Sequence, residues 1–126
     1  MSGFTDYLED ALLKHVFTNT AYTSPTTVYA ALFTVAPSDT GGGTEVSGGA
    51  YARQSMAFSV SGTGTLATNS AAVEYPTATA DYGTVVAVGI FDASTSGNLL
   101  AYANLTASKT VSSGDVFRFN AGDVDI

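Results

Sequence analysis

Two runs of this chain, TVYAALFTV at 27–35 and TVVAVGIF at 84–91, are β-branched, aromatic and apolar almost without interruption. Runs this short and this apolar predict strands buried on both faces, so the fold must hold both in its interior. The material around them differs in kind. Ser, Thr and Gly account for 44 of the 126 residues, and charged residues for only 12%, about half the usual share. That balance suits short strands joined by turns and is poor for a helix bundle. A chain of this length buries about two thirds of its unfolded surface, which allows a self-sufficient core.

Period-two patterning supplies further strands. Over 51–60, Ala52, Gln54, Met56, Phe58 and Val60 fall on one predicted inner face, against Tyr51, Arg53, Ser55, Ala57 and Ser59 on the other. Ala71, Val73 and Tyr75 align in a short strand at 70–75, and 98–105 (NLLAYANL) follows a turn at 92–97. A strand at 115–121 sets Val116, Arg118 and Asn120 against Phe117, Phe119 and Ala121. In the closing DVDI, Val124 and Ile126 share a side, which predicts a tail paired in the sheet. The long glycine-rich loop after Pro37, the turn at Gly62 and Gly64, and the segments 76–83 and 108–114 read as connections. A mainly β fold is expected, an antiparallel sandwich or barrel of about seven or eight strands in a single domain over 1–126, its β part over about 26–126.

One N-terminal helix is expected at 6–17, or about 5–18 with its caps. Thr5 can accept from a free N–H of the first turn. Asp6, Glu9 and Asp10 suit the positive end of the dipole, and Lys14 and His15 the negative end. Leu8, Leu12 and Val16 form one row that Phe4 and Ala11 extend, so the helix carries an apolar stripe. Three turns are marginal alone, and the stripe must pack on its own domain or on a neighbouring subunit.

Few tools for catalysis are present. Cysteine is absent and His15 is the single histidine, which removes disulfides, thiolate sites and multi-His metal centres. No G-x-S-x-G elbow accompanies His15, which reads as a helix C-terminal residue favoured by the dipole. Asp39, Asp92 and Asp115 read as turn initiators. Asp123 and Asp125 share a face but supply too few oxygens for calcium, so no metal or cofactor is expected. The glycines at 41–43 and 48–49 match no phosphate loop.

Eleven acids against four bases give a net charge of −7, which disfavours nucleic acid and anionic membranes as partners. No apolar run is long enough to span a bilayer. Acids stand near the N-terminus where a secretory signal needs a basic start, so no such signal is expected. The tyrosines Tyr51, Tyr75, Tyr82 and Tyr102 read mainly as packing residues, with Tyr82, in its loop, the candidate for an interface.

Several blocks carry a family resemblance. They are GFTDYLEDALLKHVF at 3–17, TAYTSP at 20–25, APSDTGGGTEVSGG at 36–49, YARQ at 51–54, PTATADYGT at 76–84, GIFDA at 89–93, GNLLAY at 97–102, KTVSSGD at 109–115 and AGDVDI at 121–126. In this order they resemble small virion proteins of tailed bacteriophages that are often labelled phage tail fibre proteins. The resemblance covers nearly the whole chain and implies a structural role, with no catalytic residues to carry over. Tyr82 stands where Trp is more usual.

The expected function is a non-enzymatic capsid decoration or cement protein on the head exterior. It would bridge subunits of the major capsid protein, with a homo-oligomer, a trimer, favoured. A tail-associated fibre, adaptor or collar protein is the alternative. A detachable helix would supply Phe4, Leu8 and Leu12 as anchors, alongside Arg53, which can grip a partner carboxylate bidentately, and Tyr82.

Overall fold

A computed structural model describes residues 2–64 and 66–126. In chain order its elements are β1 (Ser2–Phe4), α1 (Asp6–Phe17), β2 (Tyr29–Val35), β3 (Thr44–Glu45), β4 (Gln54–Ser55) and β5 (Phe58–Val60). They continue with β6 (Ala67–Asn69), β7 (Val73–Glu74), β8 (Gly83–Phe91), β9 (Leu99–Val111) and β10 (Arg118–Phe119).

The two apolar runs become β2 and β8, neighbours in the middle of one antiparallel sheet ordered β1-β9-β8-β2-β3, with β4 also paired to β2. Both faces of this pair are covered, which is why the runs do not alternate. On one face Ala30, Leu32, Val88, Ile90, Ala101 and Ala103 meet Met56, Val73, Tyr75, Phe117, Phe119 and Val124 from the opposite layer. On the other, Ala31, Phe33 and Ala87 form a smaller cluster with Val86 and Phe91. Gly89 lies in this second cluster because a Cβ there would sit 2.6 Å from Phe33 Cε1.

The opposite layer holds two small ribbons, β10–β7 and β5–β6. The main sheet stays open at its edges, so the expected sandwich is found in preference to the barrel. The C-terminal tail pairs as expected: Ile126 N donates to Ala67 O (2.8 Å) and Asn69 N to Val124 O (3.1 Å). Asn69, almost fully buried, fastens the tail with its side chain as well. Its Oδ1 accepts from Val124 N (2.8 Å), and its Nδ2 donates to Asn120 O (2.9 Å) and Ala71 O (3.0 Å).

Four strand expectations are corrected, and of the strand expected at 115–121 only Arg118–Phe119 forms. The run 51–60 is not one strand but β4 and β5, which belong to different layers. The chain crosses the core between them at buried Met56, and the crossing shifts the phase: Tyr51 and Arg53 turn inward, while Ala52 and Val60 are exposed. At 70–75 only Val73–Glu74 is strand, and Ala71 is exposed while Val73 and Tyr75 are buried. The strand expected to stop near 105 runs to Val111, because Lys109, Thr110 and Val111 pair with Val85, Thr84 and Gly83. Between Asn104 and Lys109 it swells, so that four residues lie opposite Val86 alone.

Candidate interaction surface

The helix forms as its sequence dictates. Thr5 Oγ1 accepts from Leu8 N (3.4 Å) and donates to Leu99 O (2.6 Å), so the cap that starts α1 also ties it to β9. Thr5 N donates to Leu100 O (2.9 Å) and Asp6 N to Asp39 O (2.8 Å). Tyr102 completes this root by donating its hydroxyl to Asp39 Oδ1 (2.6 Å). That bond to a carboxylate raises the Tyr102 pKa above the usual phenol value. At the far end Asn19 adopts a left-handed φ of 55°, and Thr20 N bonds back to Lys14 O (3.1 Å).

The helix is not a detachable arm. It is preceded by β1, which pairs with β9 through Ser2↔Ala103, Gly3↔Tyr102 and Phe4↔Ala101. Leu8, Ala11 and Leu12 are half-buried, on the side of α1 turned toward its own domain. Phe4, on β1, is 44% exposed. Asp6, Asp10, Leu13 and Phe17 lie on the side opposite Leu8, with Glu9 and Val16 on its flank, and all six are exposed. Leu13, Val16 and Phe17 are 58%, 67% and 77% exposed, the largest bare apolar area on any one element described. Of these only Val16 belonged to the expected stripe. The i, i+3, i+4 spacing of 13, 16 and 17 was there to be read, but it competes with the 8–12 row for the inward face.

Arg53 is spent within its own chain. Nε and Nη2 lie 2.9 Å from Glu45 Oε2 and Oε1, Nη1 donates to Ala93 O (3.0 Å) and Ser96 O (2.8 Å), and the guanidinium sits 3.6 Å over the Phe91 ring. Its bidentate carboxylate is therefore Glu45, which sequence reasoning did not single out. Tyr51 joins the cluster, donating to Glu45 Oε2 (2.8 Å) and accepting from Leu32 N (2.9 Å).

Tyr82 is corrected from a loop aromatic open to a partner to a core residue, 5% exposed. It stands edge-on to Tyr51, and its hydroxyl donates to Pro76 O (2.8 Å). Phe4, Leu8 and Leu12 thus lie together at the root and inner side of α1, whereas Arg53 and Tyr82 are built into the interior.

Asp123 and Asp125 line a surface groove of about 380 Å³ with Lys109 and Arg118. Both carboxylates are engaged, by Asn120 N (2.8 Å) and by Thr68 Oγ1 (2.8 Å). Among the described residues, no group of three His, Asp or Glu side chains is placed to hold a metal ion. No described helix is long and apolar enough to cross a membrane.

The described residues thus form a β-sandwich whose Arg53–Glu45 pair lies inward and whose helix end is apolar and exposed. A family model described as podophage GP4 fiber I protein gp80 matches residues 3–126, and the chain belongs to that family. It is a fibre-type virion structural protein of a bacteriophage, as the resemblance implied. No curated protein matches the chain.

Proposed function

We propose that this protein is a non-enzymatic component of a tail-associated fibre, an adaptor or tip that joins the particle by docking α1 onto another virion protein. The observation that carries this is the bare apolar end of the helix, Leu13, Val16 and Phe17, on a domain whose other large side chains mostly pack inward. Three such residues together on one exposed turn make a contiguous apolar patch, and the largest patch on a monomeric protein is often functional. The fibre named in the family description supports a place in a fibre assembly.

A capsid decoration role on the head exterior is the second reading. It is favoured by the net charge of −7, which suits a surface facing away from packaged DNA. Copy number per purified virion separates the two. Quantitative mass spectrometry against the major capsid protein should return a few to a few dozen copies if the protein serves a fibre. A ratio near one copy, or one third of a copy, per capsid subunit would replace the fibre reading with decoration. Absence from virions would overturn both.

A further inference from the structure

The outward side of α1 is divided along its length. On a helix about 18 Å long, Asp6 and Asp10 in the first half and Leu13 and Phe17 in the second are exposed opposite Leu8, flanked on one side by exposed Glu9 and Val16 and on the other by exposed Tyr7 and Lys14. Asp10 meets Lys14 at 2.9 Å on the flank, while among the described residues Asp6 and Glu9 form no ion pair. From this division we infer that α1 docks as a helix in a groove of another virion protein, a groove apolar where it receives Leu13, Val16 and Phe17 and lined with Lys or Arg beside Asp6, Glu9 and Asp10. This rests on the reading of the chain as a virion structural protein and adds the chemistry and polarity of its partner.

Two observations favour such a partner over a second copy of the chain. Side-by-side parallel helices would bring the two acidic halves together. Antiparallel helices could share only their apolar ends, which expose on the order of 350 Å² per copy, against about 800 Å² per partner in a stable interface. Engaging the whole outward side needs cations opposite the first half, and this chain has only four Lys and Arg, of which Arg53 is internal and Lys14 is on the helix itself. The root at Thr5, Asp6 and Asp39 holds the helix in a fixed direction before it binds, which lowers the ordering cost of docking.

The test is incorporation into particles. A phage lacking the gene is complemented in trans with wild-type protein, Phe17→Asp, Val16→Ser or Glu9→Lys, and copies per purified particle are counted by mass spectrometry. Phe17, Val16 and Glu9 are exposed, so each variant should keep the wild-type circular dichroism spectrum and melting curve. Phe17→Asp and Glu9→Lys are each expected to lower incorporation by about tenfold or more, and Val16→Ser by several-fold. Wild-type protein should also leave particles faster when salt rises from about 0.05 M to about 0.5 M. Normal incorporation of every variant, with wild-type present, overturns the docking side while leaving the virion role intact. Loss with Phe17→Asp but not with Glu9→Lys overturns the basic groove. A wild-type dimer in sedimentation velocity that Phe17→Asp converts to monomer would assign the surface to a second copy instead. Absence of the wild-type protein itself from complemented particles would overturn the virion reading beneath the inference.

Discussion

Arg53 and Glu45 lie fork to fork, with two N–O distances of 2.9 Å, and the guanidinium plane rests on Phe91. The pair joins three parts of the fold: β3, the approach to β4, and the 92–97 turn distant in sequence, whose carbonyls of Ala93 and Ser96 take the remaining donors. Tyr51 closes the cluster from below by donating to the same carboxylate. In the glycine-rich loop that precedes β3, a Cβ at Gly43 (φ 73°) would lie 2.6 Å from Val35 O.

Replacing Glu45 by Gln should therefore cost far more than the loss of a surface ion pair. The Arg53 side chain is only 9% exposed, and without its counter-charge it becomes a nearly buried, uncompensated cation. A loss of about 2–4 kcal/mol is expected, read as a lower urea midpoint with an unchanged slope. Lys14, in an exposed pair with Asp10, provides the contrast: Lys14→Gln should change stability by about 0.5 kcal/mol or less.

Asn69 holds the C-terminal tail through one buried side chain. Substituting Ala leaves Val124 N and the carbonyls of Asn120 and Ala71 without their side-chain partner. The expected cost is about 2–3 kcal/mol. Hydrogen exchange should locate the damage, with faster exchange at Val124 and the neighbouring tail amides while β2 and β8 remain protected.

Alkaline pH should unfold the protein in a defined window. Tyr51, Tyr75 and Tyr82 have pKa values raised chiefly by burial, and Tyr102 by its bond to Asp39. A raised folded-state pKa means that the native state keeps a proton the unfolded chain releases above about pH 10. The associated stability is complete below that pH and falls as pH rises past it, chiefly through the deeply buried Tyr51 and Tyr75. Urea midpoints taken between about pH 9 and about pH 11 should drop steeply over the upper half of that range. Tyrosinate absorbance from the core residues should appear together with loss of the β-sheet signal, not before it.

What the sequence disclosed, it disclosed through patterns confined to a few neighbouring residues. The uninterrupted runs at 27–35 and 84–91 identified the two central strands because burial on both faces leaves no polar phase to confuse them. Thr5, the acids that follow it and Lys14 marked the helix, since capping and dipole effects act within one turn. The errors arose where the chain changes layers or partners. Alternation over 51–60 describes a strand with a constant neighbour, and it has no means of recording the crossing at Met56 that turns Arg53 and Tyr51 inward. The segment 108–114 reads as a connection, yet the pairing of Lys109 to Val111 with β8 depends on residues more than twenty positions away. Tyr82 belonged to a segment with turn composition, and only the fold brings Tyr51 against its ring.

The position of α1 in the chain has a mechanical consequence. The helix is inserted between an edge strand, β1, and a central strand, β2, of one sheet, so it is a span fixed at two points and not a tail fixed at one. A pull on its outer side is shared between the hydrogen bonds of β1 along β9 and the covalent path into the middle of the sheet. Peeling away β1 would not release the protein from whatever grips the helix. The tether would fail only when β2 is drawn out from between β8 and its other neighbours, which requires breaking the sheet at its centre.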